Sequence, residues 1–473
     1  MHHKIKELLQ FGTVGTRVEA KGWIRTKRIN KQVIFLTIND GSCQQNLQVV
    51  MAPSELPKTL LNQLITGASI AVFGNLVASK GSNQLVELHG HHLTLLGNAS
   101  DYPLQPKAHS LTFLRTWVHL RFRTNTFGAV FRIRHAISYA IHHFFHERGF
   151  FYLHTPIITA ADAEGAGDLF RLTSLHATHP PTNPDGSIDF SEDFFNKPTN
   201  LTVSGQLAAE AAAMGLGAVY TFGPAFRAEN SNTTRHLAEF WMVEPEVAFN
   251  NLEDTIALAE SFLKFLLDYV LKQCPAELEF LNQRLLSRSN EQDQATPMAL
   301  LERLQFVLAH PFARITYTEA IAILMEAASA KNSRFSYPVT DWGMDLQSEH
   351  ERYLVEHHFK RPVVITDYPK DIKAFYMRQN DDGRTVAAMD VLFPGVGEII
   401  GGSQREERMD YLKEAMQRNS IQDLNWYLDT RRFGTIPHSG FGLGLDRFVL
   451  FVTGMENIRD VIPFPRTPGH VPC

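Results

Sequence analysis

Cysteine is scarce in this 473-residue chain: three occur, Cys43, Cys274 and Cys473, widely spaced and odd in number. That argues against a disulfide framework and a cysteine-based zinc site, and it suits a reducing compartment. Long apolar runs are missing as well. No stretch of 18 or more apolar residues occurs, and none follows Met1-His2-His3-Lys4-Ile5-Lys6, so no membrane span or secretory leader is expected and the cytoplasm is the expected location. There is no Gly-Lys pair, which excludes a Walker-type phosphate loop; if the protein uses ATP, arginines and carboxylates must hold it. His146-Glu147 and His350-Glu351 fail as zinc-protease motifs, because Phe150 and Leu354 stand where the second histidine should be. His135, His142, His143 and His146 share a helical segment but have no acidic or cysteine partner at ligand spacing, so they read as helix-face residues. Nor is there an excess of positive charge. With 45 Lys and Arg against 50 Asp and Glu, the net charge of -5 excludes a wholly basic nucleic-acid binder; no DNA partner is expected, and RNA contact must use a local patch.

What is present is enough apolar material, 44% of the residues, for two or three globular domains. Thr16 to Thr26, Val33 to Ile38, Asn46 to Met51, Ser69 to Val77 and Gln84 to Leu96 are β-rich runs broken by the turn signals Asn39-Asp40-Gly41-Ser42 and Ser79-Lys80-Gly81-Ser82-Asn83. Five strands with a helix-like segment, Pro53 to Ile65, fit an OB-fold barrel over residues 1–100. Lys21, Arg25, Lys27, Arg28 and Lys31 cluster on its first strand and the following turn. Charge alone reads as a solvated edge strand guarded against aggregation; beside an OB-like module, RNA-backbone contact explains the cluster better. The two prolines of 101–115 mark a linker, and 116–473 is expected to be the larger domain.

That domain opens with a long helical pattern, Thr124 to Arg148, bearing Phe127, Val130, Phe131, Ile133, Ile137 and Ile141 on one side. Phe151 to Thr159, Leu201 to Ser204, Val219 to Arg227, Glu239 to Phe249, Val363 to Thr366, Ala374 to Met377 and Val386 to Leu392 read as strands; Leu252 to Leu271 and Glu406 to Met416 read as helices. No regular βα repeat appears. The fold class expected is α+β: an antiparallel sheet flanked by helices, preceded by the barrel. Cys274 to Pro311, polar and irregular in part, reads as an insertion.

Three segments carry the chemistry. Gly149-Phe150 leads to Thr155-Pro156; Phe226-Arg227-Ala228-Glu229 leads through Arg235-His236 to Glu239-Phe240; Gly440-Phe441-Gly442-Leu443-Gly444-Leu445-Asp446-Arg447 feeds an apolar helix. This ordered trio resembles motifs 1, 2 and 3 of the class II aminoacyl-tRNA synthetases, aspartyl/asparaginyl/lysyl subgroup, and within it the asparagine enzymes; the likeness covers nearly the whole chain. It implies ATP-dependent ligation of L-asparagine to tRNA(Asn) through an asparaginyl-adenylate, with release of AMP and pyrophosphate. Planar arginine forks suit phosphate. By the resemblance Arg227 holds the α-phosphate and the substrate carboxylate, Glu229 accepts from the adenine amino group, Phe240 and Arg447 sandwich adenine, and Arg235 and His236 lie along the outer phosphates. Arg227 and Arg447 are the catalytic pair. Asp390 and Glu398 supply acids for Mg2+, with Gly401-Gly402-Ser403 leaving room for ligand. No general base is assigned, since positioning and charge stabilisation suffice.

For the amino acid, the resemblance points to Glu164 on a small lid (Asp162 to Gly167), and to Gln206, Glu210, Arg227, Glu244 and Arg405. Where aspartyl relatives carry a lysine this chain has Ala209, so Arg405 with Glu210 reads as a pocket for an amide: arginine donates to its carbonyl and Glu210 accepts from its NH2. For tRNA, Arg25, Lys27 and Arg28 are expected on the backbone, Phe35 stacking on an anticodon base, Gln48 hydrogen-bonding to one, and Glu87 reading one. Motif 1 implies a homodimer. Asp446 stands where many asparagine enzymes have glutamate. An aspartate-specific or non-discriminating enzyme of the same fold, an amidating paralogue and a non-catalytic RNA-binding protein remain alternatives; the barrel argues against the second, and the full acid and arginine set against the third.

Overall fold

The computed structural model describes residues 3–79, 81, 84–161, 169–291, 298–329, 335–421 and 424–472. They form two compact units, Met1–Phe131 and Arg132–Cys473. In the first, strands β1 (Arg17–Ile29), β2 (Ile34–Asn39), β3 (Leu47–Met51), β4 (Ser69–Ala78) and β5 (Val86–Gly97) close a barrel in the order β1-β2-β3-β5-β4. Period-two alternation does the sorting. Ile34, Leu36 and Ile38 of β2 and Leu47, Val49 and Met51 of β3 point into the barrel core, leaving Phe35, Thr37, Gln48 and Val50 on the outer face. A helix, Lys58–Gln63, lies between β3 and β4. This is the OB-fold expected.

The second unit is built on an eight-stranded sheet. Its strands are β6 (Phe151–Leu153), β10 (Ala218–Phe226), β11 (Glu239–Ala248), β12 (Ala313–Thr316), β13 (Val363–Pro369), β14 (Thr385–Phe393), β15 (Gly397–Gln404) and β16 (His438–Gly444), ordered β12-β13-β14-β15-β16-β11-β10-β6. The six from β13 to β10 are antiparallel throughout, and one parallel pair closes each edge. A separate three-stranded sheet of β7 (Ile158–Thr159), β8 (Arg171–Leu172) and β9 (Thr199–Leu201) has the strand order β7-β9-β8. The helix Leu252–Gln273 starts at an Asn251 cap with Asp254 answering in a capping box, and buries Ile256, Ala259, Phe262, Leu263, Leu266, Leu267 and Val270. That i, i+3, i+4, i+7 stripe packs on β14, β15 and β16. Among the described residues no helix is long and apolar enough to cross a membrane.

Several sequence expectations are corrected. Phe151 to Thr159 is two strands, because Pro156 offers no N–H to continue a ladder. Ala374 to Met377 is not a strand; it joins the sheet region only through a bridge from Met377 to Arg405. Cys274 to Pro311 is not irregular where described: it holds the helices Pro275–Glu291 and Leu300–Ala309, which bury Leu278, Leu281, Leu304 and Val307. Strands β15 and β16 were not expected, since glycine-rich runs have low strand propensity. They form because glycine lets them close up. A side-chain carbon on Gly402 would lie 2.7 Å from the Cβ of Phe441, and one on Gly440 would collide with Glu246 and the Pro245 carbonyl.

Candidate active site

The sheet presents one row of alternate residues along β11, namely Phe240, Met242, Glu244 and Glu246, and two adjoining cavities open above it. The first is lined by Arg227, Glu229, Arg235, His236, Phe240, Glu398 and Arg447 among others. The second takes in Gln206, Glu244, Glu246, Asp390 and Arg405. Arg227, Met242, Glu398 and Gly442 line both. An arginine therefore stands at the junction, where a group held in one cavity meets a group held in the other.

Local structure explains each placement. Arg227 directly follows β10, and its N–H bonds to the Ala238 carbonyl at 3.0 Å, closing the β10–β11 hairpin end. Its guanidinium lies 5.5 Å from the Phe240 ring centroid. Arg447 sits in the first turn of the helix Leu445–Thr453 and donates to the Glu398 carbonyl at 2.9 Å, with the Glu398 carboxylate at 3.5 Å. Asp446, the shortened motif 3 acid, is buried: one oxygen pairs with Arg134 at 2.5 Å and the other accepts from the Trp241 N–H at 2.9 Å. It ties the motif 1 helix to the motif 2 strand, which aspartate reaches without the extra methylene. His236 is braced by Thr233 at 2.7 Å and Ser231 at 2.9 Å; burial, with Arg447 adding to it, lowers its pKa.

Asp390 on β14 and Glu398 on β15 converge. The place a Gly401 side-chain carbon would take lies 2.9 Å from a Glu398 oxygen and 3.5 Å from an Asp390 oxygen, so glycine leaves a cradle between two carboxylates. Burial raises the pKa of Asp390, against Lys373 at 2.7 Å; for Glu398 burial acts upward, but Arg447, Lys373 and Arg227 outweigh it and hold the carboxyl below its usual range. Two oxygen donors fit Mg2+, which takes one or two carboxylates and leaves its other positions to phosphate and water. No cluster of three or more potential metal ligands is found among the described residues, so a cation here needs the substrate's oxygens.

The second cavity departs from expectation. Arg405 is buried and forked onto Glu246, with Nε at 3.1 Å and Nη2 closer still, while Nη1 donates to Ser403 at 2.7 Å. Glu210 is not on the cavity wall. It lies fully buried, with Gln206 at 3.0 Å on one oxygen, and Arg431 at 2.8 Å, Tyr427 at 2.6 Å and His438 at 3.0 Å on the other. Four hydrogen bonds converge on that carboxylate and it has no exposed surface, so it is engaged inside the fold and not presented to a ligand in the cavity. Despite burial, Arg431, the His438 hydrogen bond and Arg405 hold the Glu210 pKa well below the usual glutamate range. Besides Asp390 and Glu398, the carboxylates that line this cavity are Glu244, held by the Gly205 N–H and the Thr221 hydroxyl at 3.0 Å each and by Ser204, and Glu246. Burial pushes Glu246 upward against the pull of Arg405, while Glu246 and Glu210 together hold Arg405 above its usual range against burial. Sequence reasoning named Glu244 but missed Glu246, although the two share a strand face by simple alternation. It also missed Lys373 and Glu351, which come from distant segments. Glu351 is pushed up to about 7 by burial and by Glu398 and Asp390. Glu164 and its lid lie outside the described residues.

On the barrel, Arg28, Phe35, Gln48 and Glu87 come together on the outer face. Arg28 pairs across the ladder with Phe35 and lies 5.7 Å from its ring; Gln48 donates to Glu87 at 2.9 Å, and His89 contacts the other oxygen at 3.1 Å. Arg25 is the extra residue of a bulge in β1. Lys27 differs from expectation. Its ammonium donates to the Leu61 carbonyl at 2.6 Å, and burial lowers its pKa, so it braces the inter-strand helix.

Comparison with known proteins agrees with this arrangement. Residues 111–468 match the family described as tRNA synthetases class II (D, K and N), and residues 18–96 match the OB-fold nucleic acid binding domain. The asparagine–tRNA ligase of Cytophaga hutchinsonii is 55% identical over 471 residues, 98% of either chain. That of Parabacteroides distasonis is 56% identical over 471 residues, 99% of this chain and 98% of its own. The crystal structure of asparaginyl-tRNA synthetase from Pyrococcus horikoshii complexed with asparaginyl-adenylate superposes with a TM-score of 0.83 at 31% identity, covering 100% of this chain and 99% of that one.

Proposed function

The chain belongs to the class II tRNA synthetases of the aspartate, lysine and asparagine group, and on that footing we propose the reaction it performs. It joins L-asparagine to tRNA(Asn) with ATP, through an asparaginyl-adenylate, releasing pyrophosphate and then AMP. The observation that carries this reading is the shared wall of the two cavities, where Arg227 can touch both an amino-acid carboxylate and the α-phosphate it attacks. Each remaining residue has a part. Phe240 and Arg447 enclose adenine, Glu229 accepts from its amino group, and Arg235 and His236 face the outer phosphates. Asp390 and Glu398 would hold Mg2+, which supplies positive charge to the phosphate oxygens when bound. Glu244 stands at the amino-acid end with Gln206 beside it; Glu164, expected to bind the substrate ammonium, lies outside the described residues. Arg405 uses three of its five N–H groups on Glu246 and Ser403, leaving donors for the amide carbonyl of asparagine.

The charge pattern favours asparagine over aspartate. An aspartate side chain would bring a third carboxylate to an arginine already shared by Glu246 and Glu210, and no lysine stands at Ala209 to compensate. We take residues 1–100 as the anticodon-binding domain, with Arg25 and Arg28 on the backbone and Phe35, Gln48 and Glu87 at the bases, 101–115 as linker, and 116–473 as the catalytic domain. A homodimer through motif 1 is supported by apolar side chains left in the open: Phe151, Tyr152, Ile157 and Ile158 are 53%, 41%, 42% and 41% exposed. The cytoplasm is the site of action. Pyrophosphate exchange with asparagine and aspartate side by side, with and without tRNA, tests the reading. Exchange should depend on asparagine, and charging should be confined to tRNA(Asn); comparable exchange with aspartate would favour a non-discriminating or aspartate enzyme instead.

A further inference from the structure

Between β14 and β15 the chain turns through residues 394–396, immediately before Glu398. Two glycines make the turn possible, Gly395 at φ +77° and Gly397 at φ +80°, both in the left-handed region that other residues rarely adopt. The Gly395 peptide is gripped from both ends. Its N–H donates to Glu356 at 2.8 Å, and its carbonyl accepts from Arg235 at 3.0 Å. Three residues on, the Glu398 N–H faces Glu351 at 3.4 Å, and any side chain at Gly397 would collide with that same carboxylate.

Glu351 and Glu356 reach this turn together because of an irregularity. The helix Ser348–Arg352 continues as a single π-helical turn, Tyr353–His358, sealed by a Phe359 N–H to Leu354 carbonyl bond at 2.9 Å. Around an α-helix, residues five apart point about 140° away from each other. An i to i+5 turn brings them back to nearly one face, and such single turns cluster at functional sites. Behind the hairpin turn stands Arg303, from the helix Leu300–Ala309, which donates to the Phe451 carbonyl at 2.9 Å and lies 5.0 Å from that ring. Burial pulls its guanidinium down to about 10, and Glu356 acts against that.

We propose that Glu356 is a positioning residue for nucleotide binding: by holding the Gly395 peptide it fixes the hairpin turn, and through it Arg235 and Glu398, toward the phosphate end of ATP. Arg303 lies behind the same turn, its guanidinium 3.9 Å from the place a Gly395 side-chain carbon would take. This inference rests on the synthetase reading given above. The test is pyrophosphate exchange on the full chain, with wild type, Glu356→Ala and Glu356→Gln. Wild type without asparagine-dependent exchange would defeat the synthetase reading itself. Given wild-type exchange, Glu356→Ala should raise the KM for ATP about tenfold while the KM for asparagine changes by less than about twofold. Glu356→Gln should restore ATP binding, because its amide oxygen still accepts from the Gly395 N–H. Should Glu356→Ala fail to fold, Glu356→Asp, one methylene too short to reach Gly395, should show the same ATP-selective rise. An unchanged KM for ATP, an equal rise for both substrates, or a glutamine variant as impaired as the alanine variant would overturn the proposal.

Discussion

Glu210→Gln separates a buried structural charge from a substrate ligand. The carboxylate has no exposed surface and neutralises Arg431, itself unexposed, at 2.8 Å, while Arg405 stands 3.8 Å away. Glutamine has nearly the same shape, but its NH2 would confront N–H donors where an oxygen now accepts. Removing one partner of a buried ion pair costs about 3–5 kcal/mol, because the other charge stays buried without compensation. At roughly 2.1 cal/mol/K per residue of unfolding entropy, a domain of about 340 residues loses roughly 4–7 °C in Tm for that cost. Thermal unfolding followed by circular dichroism should show the drop. A pH series adds a second signature. The folded-state pKa of Glu210 is depressed, so its contribution is complete above the unfolded glutamate value near about 4.3 and is lost as pH falls below it. The variant should therefore show a shallower loss of stability in acid. Selectivity between asparagine and aspartate should change little, since Arg405 keeps its fork to Glu246. A variant as stable as wild type that discriminates poorly would refute this reasoning and return Glu210 to the cavity wall.

Arg227→Ala should abolish asparagine-dependent pyrophosphate exchange while leaving the fold intact, a loss on the order of several kcal/mol at the transition state; near-normal exchange would remove Arg227 from the site. Asp390→Asn should raise the Mg2+ concentration needed for half-maximal exchange, and a titration curve superimposable on wild type would dismiss the carboxylate cradle. Phe35→Ala should raise the KM for tRNA by roughly 10-fold or more, from a stacking contribution of about 1–3 kcal/mol, without altering exchange in the absence of tRNA. Equal tRNA kinetics in the variant would assign that ring to another task.

How far the sequence could be read follows from which residues carry their meaning locally. Arg227, Glu229, Phe240 and Arg447 were legible because each lies inside a short motif, and the barrel because its core residues alternate with turn signals between them. Helix Pro275–Glu291 was hidden because its polar face outweighs a narrow apolar stripe, and β15 and β16 because their glycines, needed for close approach, erase the strand signal. Spatial relations were out of reach. Glu356 and Gly395 are 39 residues apart, and no local pattern joins them. Glu210 shows where a correct residue can receive the wrong side. The helical spacing does bring Gln206 and Glu210 together, at 3.0 Å, but spacing cannot say on which face of Arg405 the pair stands. That depends on Tyr427 and Arg431, more than 200 residues downstream, which claim the carboxylate from behind and leave the cavity face of the arginine to Glu246. On the proposed reading, amide recognition would rest with the carboxylate the fold leaves on the cavity face, Glu246, and period-two alternation along β11 is the local clue that points to it.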